Sequence, residues 1–260
     1  MAGKAGTSVD MVEPVASILT GMFTALLDRI ADSLPSQCLI CRAWPARPVC
    51  ADCVRRFMPH VSRCMTCALP VPDGVRRCGA CLRNPPPFNA CFAAVDYVWP
   101  WTACIARFKF HGQPQLARPL AALMARDAAV LDAIAQADCV LPIPMTPQRL
   151  AERGYNPAWL LARQLARPIA PKKACPDALL RIREAAPQRE LNRSQRIRNL
   201  RGAFMAQLTR SARIRDQRIV VVDDVMTTGA TLHEAARALW EAGAAQVTAI
   251  VFARTPEPGT

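Results

Sequence analysis

Apolar residues follow two rhythms along this chain. Over residues 9–30 they recur at Met11, Val15, Ile18, Leu19, Met22, Phe23, Leu26 and Ile30, the spacing of an amphipathic helix. Further on, the apolar runs at 139–143 and 219–222 and the largely apolar stretch at 246–252 read as strands buried on both faces, as in a parallel sheet. Residues 91–98 read as one more strand. Helical patterns fall between them. Trp101, Ile105 and Phe108 mark a short helix face, 115–135 is Ala- and Leu-rich, and Leu232, Ala235, Ala236, Leu239 and Trp240 share one face of a helix that Gly243 ends. Strands alternating with helices predict an α/β fold.

Local punctuation sharpens these boundaries. Thr146-Pro147 and Asn156-Pro157 each place a capping side chain before a proline suited to the first helical position, and Gly154 stops the first of the two helices. Pro142 and Pro144 end ladder pairing after the 139–143 run. Pro85-Pro86-Pro87 predicts a stiff linker. The chain is therefore divided into an N-terminal helical segment (1–37), a small segment at 38–87 and an α/β domain at 88–260.

The 38–87 segment breaks the rhythm. It has few large apolar residues and eight cysteines in four C-x-x-C pairs: Cys38 and Cys41, Cys50 and Cys53, Cys64 and Cys67, Cys78 and Cys81. Two sulfurs three positions apart can face one tetrahedral metal, and two such knuckles close a Cys₄ site with no open position, so the expected role is structural zinc, about two ions. Chain order favours 38/41/50/53 and 64/67/78/81, with a cross-braced pairing as the alternative. Redox chemistry fits a single C-x-x-C better than four. Zinc, worth roughly 10–16 kcal/mol in finger peptides, would supply the stability that the missing core cannot. Cys91, Cys104, Cys139 and Cys175 stand singly in apolar stretches and are expected to pack.

Charge adds a partner class. The net charge is +13, with 29 Arg against 4 Lys, which favours anionic ligands. Residues 181–218 hold eleven Arg against three acids and too few apolar residues for a core. They predict a lid over a phosphorylated substrate, a nucleic-acid surface, or both. The uncharged run at 14–27 is too short to span a bilayer and no secretory signal is found, so the expected location is cytoplasmic.

The densest chemistry is Ile219-Val220-Val221-Val222-Asp223-Asp224-Val225-Met226-Thr227-Thr228-Gly229-Ala230-Thr231. A buried strand ends on two carboxylates, and a loop of small residues leads into a helix. Ligands of open α/β sheets bind beyond the carboxyl ends of strands, and a helix N-terminus offers free amides to an anion. The pattern suits a phosphate in the loop and a polyol over the acids. A Walker B strand is the competing reading, but no G-x-x-x-x-G-K-[ST] occurs in the chain. Arg149 and Arg153, one turn apart, could both reach a pyrophosphate. Lys109, in Phe108-Lys109-Phe110-His111-Gly112, faces either an anion or solvent.

The 219–231 segment resembles the 5-phosphoribosyl-1-pyrophosphate (PRPP) signature of type I phosphoribosyltransferases. With the tandem knuckles, Lys109 to Gly112, Leu141-Pro142-Ile143-Pro144, Arg149-x-x-x-Arg153-Gly154-Tyr155-Asn156, Gln188-x-x-Leu191 and Arg196-x-x-Asn199, the chain from 38 to 254 resembles the ComF family of competence-associated proteins. The resemblance implies a type I phosphoribosyltransferase fold, a parallel sheet flanked by helices and preceded by a double zinc ribbon. It implies that Asp223 and Asp224 hold the ribose hydroxyls and that Thr227, Thr228, Gly229, Ala230 and Thr231 cradle the 5′-phosphate. Pro142 to Thr146, Pro144 included, becomes the pyrophosphate loop served by Lys109, Arg149 and Arg153, with Mg²⁺ accompanying PRPP, and 184–204 becomes a hood. Partners so implied are PRPP, single-stranded DNA and a helicase-like competence protein, in DNA uptake. A PRPP-sensing protein without turnover, or a DNA-binding protein, is the alternative. Two departures stand out: Pro157 replaces the usual Gln after Asn156, and the third knuckle, Cys64-Met65-Thr66-Cys67-Ala68, lacks the usual Pro and Gly.

Overall fold

The computed structural model describes residues 35–182 and 202–257. The helix expected over 9–30 and most of the expected hood lie outside the described residues. The chain forms two compact units that part between Arg56 and Phe57. In the first, Ser36 and Ala46 form an antiparallel bridge, and Cys53 is buried on a helix, α1 (Ala51–Phe57), which ends at the boundary.

The second unit begins with the other cysteine set, which includes α2 (Gly79–Arg83), and continues into the sheet. In order follow β1 (Ala90–Asp96), α3 (Trp101–Phe110), α4 (Ala117–Met124), α5 (Ala128–Gln136) and β2 (Cys139–Pro142). Then come α6 (Pro147–Arg153), α7 (Pro157–Ala166) and a short antiparallel pair, β3 (Leu179–Arg181) with β4 (Phe204–Ala206). Last are β5 (Arg218–Met226), α8 (Ala230–Glu241) and β6 (Gln246–Arg254). The main sheet is parallel throughout, in the order β1-β6-β5-β2. Helix α7 packs on β5 and β2, and α8 on β6 and β4, which buries Ile219 to Val222 of β5 and Val247 to Ala253 of β6.

The differences from the sequence reading have local causes. The single helix expected at 115–135 is broken, because the Asp127 carboxylate accepts from the Ala129 amide and caps α5 anew. Strand β2 stops at Pro142: the Ile143 amide still donates to the Val222 carbonyl at 2.8 Å, and Pro144 has no N–H to continue. Strand β6 runs past Phe252 to a buried Arg254. Trp240 leaves the apolar face of α8 and, 38% exposed, donates its indole N–H to the Pro87 carbonyl at 2.7 Å.

That bond anchors the triproline segment. Phe88 stacks edge-on against His233, with ring centroids 5.5 Å apart. Cys64, Cys67, Leu69 and Cys81 share one apolar core with Val221, Met226, Leu232 and Val251. The boundary expected at 85–87 thus falls inside a compact unit, and the second cysteine set is part of the sheet's own body.

Candidate functional site

The site forms where β5 and β2 end side by side. Pro142 pairs with Val222, which brings the Ile143 to Thr146 loop against the two acids. Asp224 is buried and its Oδ1 lies 2.7 Å from Lys109 Nζ at the end of α3. The Asp223 Oδ1 accepts from the Asp224 amide at 2.8 Å. Burial and the adjacent Asp224 carboxylate push Asp223 up to about 7, with Lys109 working the other way. A partly protonated acid beside an ion-paired one is a site short of positive charge and hydrogen-bond donors.

The loop after β5 supplies donors. Gly229 takes φ +81° as the residue before α8, a left-handed conformation that strains any other residue, and a Cβ there would also meet Met226 Cε at 2.6 Å. Helix α8 then starts with no acid in its first turn, and the His233 amide closes on the Gly229 carbonyl at 2.9 Å. The first-turn amides therefore lack intrahelical acceptors and point to the strand end, where the helix dipole is positive. Thr227 is exposed, and Thr228 Oγ1 accepts from the Ala230 amide at 3.4 Å.

The opposite wall is held by α6 and α7. Thr146 caps α6, accepting from the Arg149 amide. Asn156 has two tasks: Oδ1 accepts from the Ala158 and Trp159 amides at 2.9 and 3.4 Å, and Nδ2 donates to the Ile143 carbonyl at 3.0 Å. Arg153 lies over the exposed Phe110 ring at 5.2 Å and reaches Met145 Sδ, while the Arg149 side chain is exposed. The Tyr155 hydroxyl donates to the Phe108 carbonyl, which pins the end of α3 to this wall.

Lys109 and Asp224 thus meet at the end of β5 beside Asp223, residues 227–231 lead from there into α8, and the loop that holds Pro144 leaves the neighbouring end of β2, with Arg153 on the helix that follows. The Lys109–Asp224 pair and the second bond of Asn156 were beyond reach of sequence spacing, since each partner lies on a different element. Asn156→Ala removes a cap and the tie to the loop together. It is expected to cost about 1–2 kcal/mol, seen as a melting midpoint lower by about 2–8 °C; an unchanged midpoint would contradict the double role.

The cysteines gather in chain order, 38/41/50/53 and 64/67/78/81, with the four sulfurs of each set within 4.8 Å of one another. The sulfurs of Cys38 and Cys53 lie 3.8 Å apart, those of Cys41 and Cys50 3.7 Å, and those of Cys67 and Cys78 3.7 Å. A tetrahedral zinc with bonds of ~2.3 Å has sulfurs ~3.8 Å apart, so both sets fit. Amides point at sulfur in both, Cys50 N to Cys38 Sγ at 3.5 Å and Cys78 N to Cys64 Sγ at 3.3 Å. Burial works against ionisation of Cys38 and Cys64, yet such amides hold them down to about 6 and about 7. Ala68 takes φ +57° where a glycine would be unstrained, so the third knuckle keeps its turn at a cost of ~1–2 kcal/mol.

Among the described residues, no helix is long and apolar enough to cross a membrane. Residues 150–259 match the phosphoribosyl transferase domain family. The chain is 31% identical over 232 residues to the DNA utilization protein YhgH of Salmonella typhimurium, covering 86% of this chain and 99% of that one. It is 29% identical over 226 residues to Competence protein F of Haemophilus influenzae (84% and 96% covered), and 35% identical over 117 residues to Competence protein ComFC of Bacillus subtilis (45% and 44% covered). With that likeness over its length, two four-cysteine sets and a phosphoribosyltransferase-type parallel sheet, the chain belongs to the ComF family.

Proposed function

We propose that the chain binds PRPP with Mg²⁺ at the joined ends of β5 and β2 and transfers its phosphoribosyl group, in a protein that serves DNA uptake. One juxtaposition carries the reading: paired acids at a buried strand end, followed at once by a glycine turn and the amide-bearing start of a twelve-residue helix. Asp223 and Asp224 would accept from the ribose hydroxyls through charge-assisted hydrogen bonds. The amides and hydroxyls of 227–231 would receive the 5′-phosphate. Lys109 would leave Asp224 or share it, turning its charge to the pyrophosphate beside Pro144 and Arg153. Hard carboxylate oxygens and a pyrophosphate suit Mg²⁺, which when bound neutralises charge on the leaving group.

The test is incubation with PRPP, Mg²⁺ and a panel of bases, amines and nucleotides, following pyrophosphate. Release above that of the Asp223→Asn protein supports transfer. Saturable PRPP binding with no release from any acceptor assigns the sensing role instead, and no binding overturns both.

The relatives named for DNA utilization and competence, and the arginines of 181–218, support single-stranded DNA as a second ligand, with a helicase-like protein as partner. Binding should weaken with salt by a log–log slope of about −0.7 per phosphate contact. If changing Arg193, Arg196 and Arg198 together to Ala leaves affinity and slope as they were, those arginines are not the surface.

A further inference from the structure

We propose that Arg254 is a positioning residue that ties metal occupancy of the Cys64/Cys67/Cys78/Cys81 set to the shape of the loop at 226–229. The proposal rests on reading that loop as the phosphate site. Arg254 ends β6 with 4% of its surface exposed. Its guanidinium donates to carbonyls from three segments: Nε to Cys67 at 3.0 Å, and Nη1 to Met226 at 3.1 Å, to Thr227, and to Thr255 at 2.7 Å. A buried guanidinium is costly unless its donors are met, so the carbonyls that meet it must stay aimed at it.

Of those four carbonyls, the two of Met226 and Thr227 open the phosphate loop and that of Cys67 is the backbone of a zinc-ligand candidate. Where the Cys67 carbonyl points depends on the knuckle turn, in which the Ala68 amide returns to the Cys64 carbonyl at 2.8 Å and Ala68 holds φ +57°. A metal on four sulfurs fixes that turn. Without it, a strained left-handed alanine has a reason to relax, the Cys67 carbonyl turns away, and Arg254 loses one of the partners that hold it under Met226 and Thr227. Gly229 stands on the same support, because Met226 Cε fills the space beneath it. A minor route runs alongside, with the Cys91 amide on the Met65 carbonyl at 2.9 Å and Cys91 Sγ 3.7 Å from Met226 Sδ. The first cysteine set takes no part in these contacts.

Coupling of this kind is reciprocal and commonly amounts to about 5- to 150-fold. The experiment compares zinc-loaded full-length wild type, Arg254→Gln and Arg254→Lys. Alkylation of each cysteine under a chelator is followed by mass spectrometry, and amide hydrogen exchange is followed at 226–231. Arg254→Gln is expected to speed alkylation of Cys64, Cys67, Cys78 and Cys81 at least 5-fold, leave Cys38, Cys41, Cys50 and Cys53 as they were, and raise exchange at 227–231. Arg254→Lys, which keeps the charge but cannot reach every carbonyl, is expected to fall between, and it carries the test if the Gln variant does not fold. Unchanged alkylation of the second set, unchanged exchange at 227–231, or equal loss at both cysteine sets would overturn the proposal. In wild type, Mg²⁺ with PRPP should also slow alkylation of the second set alone. If PRPP does not bind wild type at all, the phosphate-site reading fails while the first two readouts still decide the role of Arg254.

Discussion

Asp223→Asn and Asp224→Asn are each expected to weaken PRPP binding by about 10- to 150-fold. A hydrogen bond to a charged group is worth roughly 1.5–3 kcal/mol, and asparagine keeps the shape while removing the charge. The two variants differ in the empty protein. The folded-state value of Asp223, about 7, lies above the free side chain's 3.8. Its contribution to stability is therefore fully present below pH 3.8 and is lost as the pH rises through 7. Asp223→Asn removes that loss. At pH 8 it should melt above wild type, by about 1 kcal/mol once partial solvent exposure is discounted or about 2–4 °C, and at pH 4 the two should coincide. Asp224→Asn strands the Lys109 ammonium 2.7 Å away and should gain nothing. By the same titration, PRPP affinity should rise between pH 6 and pH 8. Calorimetric titration and melting curves across that range check these statements, and equal PRPP affinity in wild type and both variants would remove the ribose from this pair.

The second large effect concerns zinc. Protein purified without chelator should carry about two zinc ions per chain, and under half an equivalent with all eight thiols reduced would contradict the account. The two sets should not be equivalent. Cys38→Ser should unfold the small unit that ends at Arg56 and leave the sheet's melting transition in place. Cys64→Ser would take one thiol from the set built into the core of β5, β6 and α8. With structural zinc contributing on the order of 10 kcal/mol in fingers, it should lower or abolish the main transition. Calorimetric scans of the two variants, with metal analysis, separate the cases, and identical transitions would mean that metal at the second set does not support the main transition.

Much of this was legible from residue order because the informative features are local. A four-residue β-branched run, Asp223-Asp224 and a glycine turn lie within thirteen positions, and the two proline-started helices announce their own caps. The cysteine spacing favoured the sequential sets that the structure brings together. What stayed hidden depends on contacts between distant residues. Nothing about Lys109 reveals that it pairs with Asp224, 115 positions on. Arg254 ends an apolar strand, where a basic residue reads as the first solvated position, yet the knuckle at Cys67 and the loop at Met226 close over it. The triproline segment reads as a boundary because stiffness is a local property. That Trp240 and His233 would hold its far end to α8 is not.

The central claim, that one PRPP lies across the ends of β5 and β2, is tested most directly by a crystal structure of the zinc-loaded protein with PRPP and Mg²⁺. The account predicts the ribose hydroxyls within hydrogen-bonding distance of Asp223 and Asp224, the 5′-phosphate on the amides of residues 227–231, and the pyrophosphate beside Pro144 with Lys109 turned toward it. A 5′-phosphate bound anywhere other than the start of α8, or a ribose that leaves the Lys109–Asp224 pair untouched and makes no bond to either acid, would contradict it.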